Sequence, residues 1–145
     1  MFATSDGGHC NIAYPPELPM TSVDSIHHVA IGVTDLARAR RFYSEVLGLE
    51  EMPRPAFDFA GAWFRVGRQQ IHLIVRPAEP RPDRRVETRD DHIALRVRSY
   101  RETVEYLRTL GLPFEARPHN KTSRPQIYIV DPDGHTIELN AEELD

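Results

Sequence analysis

Apolar and polar positions along this chain follow one order of patterns, break, and then follow the same order again. Ile26 to Val33 is an apolar run rich in β-branched residues and reads as a strand. Thr34 or Asp35 then offers an N-cap to a helix running to about Leu47. Leu36, Ala39, Phe42, Tyr43, Val46 and Leu47 recur there at helical spacing, and Gly48 supplies the stop. Leu49 to Met52, Gly61 to Val66 and Gln70 to Val75 read as three strands, the second reached through a proline-containing loop. Pro77, Pro80 and Pro82 punctuate the polar stretch Arg76 to Glu87, which reads as a link. Then come a strand over Asp91 to Val97, a helix over Tyr100 to Leu110 stopped by Gly111, and strands over Phe114 to Arg117, Gln126 to Val130 and Thr136 to Asn140. An Asp131-Pro132-Asp133-Gly134 turn leads into the last of them.

The two rounds match residue by residue. His28-Val29-Ala30-Ile31 corresponds to His92-Ile93-Ala94-Leu95 at an offset of 64, Leu47-Gly48-Leu49 to Leu110-Gly111-Leu112 at 63, and Ile71-His72-Leu73 to Ile137-Glu138-Leu139 at 66. The prediction is an α+β domain over residues 25–145, built of two βαβββ modules over 25–75 and 90–140. Residues 1–24, with Pro15, Pro16 and Pro19 among polar neighbours, read as a flexible N-terminal arm with neither a secretory leader nor an apolar span.

Composition narrows the classes. A formal net charge of -4 gives no reason to expect nucleic acid or an anionic membrane as partner. Cys10 is the single cysteine, so an intrachain disulfide and a zinc–thiolate cluster are excluded, and a reducing, cytoplasmic home is expected.

Each module carries one polar residue between apolar neighbours on its first strand and another on its last: His28 and His72, then His92 and Glu138. Side chains alternate faces along a strand, so these residues need not share the face of their neighbours. If the first and last strands of a module are adjacent, His28 lies near His72 and His92 near Glu138, and the four line one concave surface. Imidazole and carboxylate donors without a thiolate suit Zn²⁺, Ni²⁺, Mn²⁺, Fe²⁺ or Co²⁺. Such an ion polarises a carbonyl and stabilises an enediolate, and Glu138, the one carboxylate of the set, is the candidate for both ligand and base. Taken singly, a histidine in a strand is more often a hydrogen-bonded structural residue or a surface residue than a metal ligand, and Glu138 alone is more often a solvated strand residue. Their corresponding positions in two repeats are what raise them. His27 sits beside His28, but the repeat pairs His28 with His92. His135 reads as a surface turn residue, and His119 as part of a polar loop that is either a lid or a solvated connection. Phe57, Phe59 and Trp63 read as a pocket wall or as core.

These motifs together resemble the vicinal oxygen chelate superfamily, which includes glyoxalase I, methylmalonyl-CoA epimerase, fosfomycin-resistance thiol transferases and extradiol dioxygenases. The resemblance runs from about Ser25 to Glu142 and rests on His28 to Ile31, Asp35-Leu36, Phe42-Tyr43, Leu47 to Leu49, Asp91 to Leu95 and Asp131 to Leu139. It implies that each module curls into half of an open barrel and that a divalent metal is held by His28, His72, His92 and Glu138. It also implies a homodimer in which His28 and His72 of one chain meet the second pair of the other. The implied activity is that of a metal-dependent glyoxalase-like lyase or isomerase, moving a proton next to a carbonyl of a small or glutathione-conjugated substrate. The alternatives are an Fe(II) extradiol dioxygenase using His28, His92 and Glu138, and a non-catalytic small-molecule binding or resistance protein. Glyoxalase I more often has Glu or Gln at the position of His72, and in the thiol transferases that position is usually not a ligand. A three-ligand set with His72 as a substrate contact therefore stands beside the four-ligand set. Phe59, Trp63, Arg65, Lys121 and Arg124 are expected substrate contacts.

Overall fold

The computed structural model describes residues 23–77, 85–86, 88–89, 91–119, 121 and 124–145. The expected N-terminal arm, apart from Val23 and Asp24, and most of the expected link lie outside the described residues. In chain order the elements are β1 (His28–Val33), α1 (Leu36–Arg41), β2 (Glu50–Met52), β3 (Gly61–Val66), β4 (Gln69–Val75), β5 (His92–Arg96), α2 (Tyr100–Thr109), β6 (Glu115–Arg117), β7 (Gln126–Val130) and β8 (Thr136–Asn140).

They form two four-stranded sheets of order β1-β4-β3-β2 and β5-β8-β7-β6, neither closed into a barrel. In each, the first and last strands of the module pair in parallel and the remaining pairs are antiparallel. This is the expected α+β pair of βαβββ modules.

Alternation sorts the residues of each sheet. Ile31, Val33, Ala62, Phe64, Ile71 and Leu73 in the first module, and Ile127, Ile129, Ile137 and Leu139 in the second, are buried in one core with Ala39, Phe42, Tyr43, Tyr100, Val104 and Leu107 from the helical segments. Each large apolar side chain fully withdrawn from water contributes roughly 1.5–3 kcal/mol, which is why this alternation fixes the register. The opposite face carries His28, His72 and Trp63 in one sheet and His92, Glu138 and Tyr128 in the other.

The first helix departs from the expected course to Leu47. It is α-helical only to Arg41 and continues as one π turn over Phe42–Val46, with Leu47 N–H donating to the Phe42 carbonyl at 3.1 Å. The wider turn lets the consecutive rings of Phe42 and Tyr43 both enter the core, at 6% and 0% exposure. Asp35, not Thr34, is the cap, accepting from Arg38 N–H at 2.9 Å. Gly48 and Gly111 end the two helical segments with φ of 66° and 64°, a left-handed conformation that a Cβ disfavours.

A polar clasp joins the modules through the turn ahead of β8. Buried Asp131 accepts the backbone N–H groups of Asp133 and His135 on Oδ1, at 2.9 and 2.8 Å, and the Tyr43 hydroxyl on Oδ2 at 3.0 Å. Asp133 accepts from the backbone and hydroxyl of Thr34, at 3.1 and 2.5 Å. His135, expected on the surface, is half-buried with Nε2 at 2.8 Å from the Gly32 carbonyl. Among the described residues no helix is long and apolar enough to cross a membrane.

Candidate metal centre

The register of β1 against β4 pairs His28 with Gln70 and Ala30 with His72, so the two histidines are close neighbours on one face. Their rings stack at 4.2 Å and 13°. Trp63 faces His72 across β3 and β4 and stacks on its other side at 4.1 Å and 7°. The result is a column of three rings, Trp63, His72 and His28. His28 Nδ1 lies 2.9 Å from His27 Nδ1; with His28 as donor in that bond, its Nε2 keeps a free lone pair. His72 Nε2 donates to Gln70 Oε1 at 2.7 Å, which leaves Nδ1 as its acceptor. Burial, and then the charges of His28, His27 and Arg54, hold the His72 pKa below the ordinary imidazole value, so the ring is neutral at pH 7.

In the second module the same register pairs Ala94 with Glu138, one step from His92. Glu138 Oε2 lies 3.2 Å from His92 Nε2, and Oε1 accepts from Gln126 Nε2 at 2.8 Å and Asn140 Nδ2 at 2.9 Å. Burial raises the Glu138 pKa, but bonds from Asn140, Tyr128 and Gln126 and the charge of His92 outweigh it, and the carboxyl sits below its usual range. Tyr128 is correspondingly pushed up to about 12, by burial and by Glu138, and stays a donor.

Within one chain the four expected ligands thus form two pairs, one on each sheet, and among the described residues no three His, Cys, Asp or Glu side chains converge on one point. A lone pair lies in the plane of its imidazole. The planes of His28 and His72, 4.2 Å apart and only 13° from parallel, meet far beyond the length of a metal–nitrogen bond.

Of the expected substrate contacts, Trp63 lies in the ring column and Phe59 stacks on Phe57 at its edge. Arg65 shares the face of Trp63 but pairs with Glu50 at 3.5 Å. Lys121 and Arg124 are exposed in the loop before β7. The sequence reading missed Gln70, Gln126, Tyr128 and Asn140, which orient His72 and Glu138. Strand alternation was the available signal, since Gln70 and Asn140 each stand two positions from the residue they hold.

A pH dependence follows for chelator-treated protein. A histidine whose folded pKa is depressed takes up a proton more readily when unfolded, so its contribution is complete above about pH 6.5 and is lost as pH falls towards the folded value. The depressed Glu138 carboxyl adds a second loss at lower pH, as pH falls through its folded pKa. Urea unfolding from pH 7.5 to 4.5 should show stability declining over this range, with a shallower decline below pH 6.5 in His72→Gln; identical slopes would count against a buried neutral His72.

Two open βαβββ sheets, each presenting a pair of nitrogen or carboxylate donors on the face away from the core, define a protein class by topology and donor placement together. The profile of the Glyoxalase/Bleomycin resistance protein/Dioxygenase superfamily matches residues 25–139, and the chain belongs to that superfamily. It is 29% identical over 85% of its length, and 86% of the relative's, to the metallothiol transferase FosB of Lysinibacillus sphaericus. A glyoxalase family protein from Bacillus anthracis superposes with a TM-score of 0.70 at 28% identity, covering 84% of this chain and 98% of that one. The fosfomycin resistance protein FosX of Listeria monocytogenes, as an E126Q mutant complexed with Mn(II) and 1S,2S-dihydroxypropylphosphonic acid, shares the fold with a TM-score of 0.67 at 22% identity, over 83% and 93% of the two chains.

Proposed function

We propose that this chain is a metal-dependent enzyme that moves a proton next to a carbonyl of a small substrate, with His28, His92 and Glu138 as the ligands of a divalent cation. The observation that carries this reading is the His92–Glu138 pair. Two ligands each about 2.1 Å from one ion and about 90–110° apart stand about 3.0–3.4 Å from each other, and the Nε2 to Oε2 distance is 3.2 Å. His28, in the tautomer that donates from Nδ1 to His27, offers Nε2 as the third donor. Zn²⁺, Ni²⁺, Mn²⁺ and Fe²⁺ all suit this set. When bound, the cation polarises the carbonyl and holds the negative charge that develops on its oxygen.

The protein's own groups divide the remaining work. The donors that hold Glu138 as an anion also lower its basicity, which suits a ligand better than a base. His72 is neutral with Nδ1 open beside His28, and we assign it the proton. Since the pairs lie on separate sheets of one chain, the reading includes a homodimer in which His28 of one chain faces the second pair of another. The relatives named metallothiol transferase and glyoxalase support metal use and this reaction class.

The test is turnover of the hemithioacetal of methylglyoxal and glutathione to a thioester under Ni²⁺, Zn²⁺ and Mn²⁺ in turn. His72→Gln should keep its metal and lose roughly 10²–10⁴-fold in rate, whereas Glu138→Gln should lose metal and rate together. Full rate in His72→Gln with a metal-loaded, inactive Glu138→Gln would return the base role to Glu138. No thioester under any metal, together with no metal-dependent exchange into D₂O of the proton next to the carbonyl of an aryl keto acid such as phenylpyruvate, would overturn the reading. The stacked His72, which leaves three ligands, favours thiol transfer to a small electrophile as the second reading, and consumption of thiol with fosfomycin would install it. Oxygen uptake with catechols under Fe²⁺ alone would instead mark a dioxygenase.

A further inference from the structure

Beside the ring column the first module carries a patch that the proton-transfer reading leaves unused. The loop between β2 and β3 presents Phe57 and Phe59 at 46% and 41% exposure, stacked on one another at 5.1 Å and 23°. Phe57 lies 6.0 Å from Trp63, which stacks on His72, so aromatic faces run without a break from this loop to His28. The Arg54 guanidinium lies 4.6 Å from the centroid of Phe57 and 4.8 Å from that of Phe59. Its Nη2 donates to the Phe59 carbonyl at 2.8 Å, its Nε is buried without a partner, and among the described residues no carboxylate pairs with it. Two large rings held in water around a cation that no anion neutralises are costly in the free protein, and a ligand that supplies both an apolar face and a negative charge offsets both costs.

We propose that Arg54, Phe57, Phe59 and Trp63 form the subsite for the non-reacting part of the substrate, and that this part is an aromatic ring bearing a carboxylate or phosphonate. The proposal extends the site of the proposed reaction and names its substrate class. The ring of such a ligand lies against the Phe57, Phe59 and Trp63 faces, and its anionic group meets the open edge of Arg54. There the flanking rings exclude water and strengthen the pairing. A tripeptide thiol fits less well. It brings two carboxylates and an ammonium group to a patch with one guanidinium and three aromatic faces.

Trp63 is the chain's single tryptophan, so its fluorescence reports directly on the subsite. The full-length protein, freed of metal by chelation, is titrated with benzoate and phenylphosphonate, with acetate and methylphosphonate as anions lacking a ring, and with benzyl alcohol as a ring lacking charge. The aryl anions should bind at least tenfold more tightly than either control class. Arg54→Gln should abolish the preference over benzyl alcohol, Arg54→Lys should keep part of it, and Phe57→Ala with Phe59→Ala should abolish the preference over acetate and methylphosphonate. Thermal melts of each variant verify that it folds. Equal affinities across the series, or no saturable change, would overturn the subsite. So would failure to bind aryl anions together with dissociation of a dimer in the double phenylalanine variant, since the patch would then be covered by a second copy. Because the titration needs no metal, aryl-anion binding without turnover would leave the subsite standing and sink the proton-transfer reading. Turnover without aryl preference would do the reverse.

Discussion

Co-expressed His28→Ala and His92→Ala chains should recover about a quarter of the wild-type metal sites and turnover, although either variant alone retains almost none. The two proposed donor groups lie on different sheets of one chain, and no three donors converge among the described residues. If the centre forms between chains, a mixed dimer joins the two defective modules at one site and the two intact modules at the other. Random pairing makes about half of the dimers mixed, each with one intact centre of two, hence the quarter. Differently tagged chains, purified through both tags and analysed for metal, give the mixed dimer alone, which should carry about half the wild-type content. No recovery in the mixed dimer would mean that His28 and His92 act within one chain or do not share an ion. A scattering mass near 16.6 kDa for the active, metal-loaded protein would exclude the exchange altogether.

Asp131→Ala should be the most destabilising single change in the clasp, at about 3–5 kcal/mol, because it strips partners from the buried Tyr43 hydroxyl and two part-buried backbone donors at once. The Asp133 and His135 backbone N–H groups lose their acceptor and the Tyr43 hydroxyl loses its own. Burial, and then the neighbouring Asp131 charge, raise the Tyr43 pKa, so this hydroxyl remains a neutral donor throughout the accessible pH range. Tyr43→Phe should cost less, about 1.5–3 kcal/mol, since it removes one bond to a charged acceptor and leaves the turn's backbone bonds in place. For a domain of this size each kcal/mol lowers the melting temperature by roughly 3 °C, so the two variants should separate clearly in calorimetry. A loss below about 1 kcal/mol for Asp131→Ala would show that solvent replaces the carboxylate and that the modules are held by their shared core. Urea titration of both variants, with the slope compared to wild type, distinguishes lost stability from a change in compactness.

The elements, the duplication and the corresponding positions of His28, His72, His92 and Glu138 in the two repeats were legible in the linear chain. Each rests on local rules: apolar alternation with period two marks strands, Gly48 and Gly111 mark helix ends, and the repeat offsets place equivalent residues on equivalent strands. Strand order was not among these. Parallel pairing of β1 with β4 and of β5 with β8 joins segments some forty residues apart, and only that pairing makes neighbours of the residues in each pair.

Other features depended on contacts that no local pattern encodes. The π turn accompanies the burial of both Phe42 and Tyr43 and the bond from Tyr43 to Asp131 eighty-eight positions away. His135 lies in a polar turn that any reading by composition places in solvent, yet the packing of two modules brings the Gly32 carbonyl to it. The face-to-face stacking of Trp63, His72 and His28 depends on the rotamers chosen in a packed face, and it separates two residues that the chain alone presents as equivalent ligands. A one-dimensional pattern specifies which residues share a strand face, because alternation is a property of the backbone. The direction in which a lone pair points on that face is a property of every neighbour that touches the ring, and around His28 and His72 those neighbours come from β1 and the adjoining His27, from β3 and from β4.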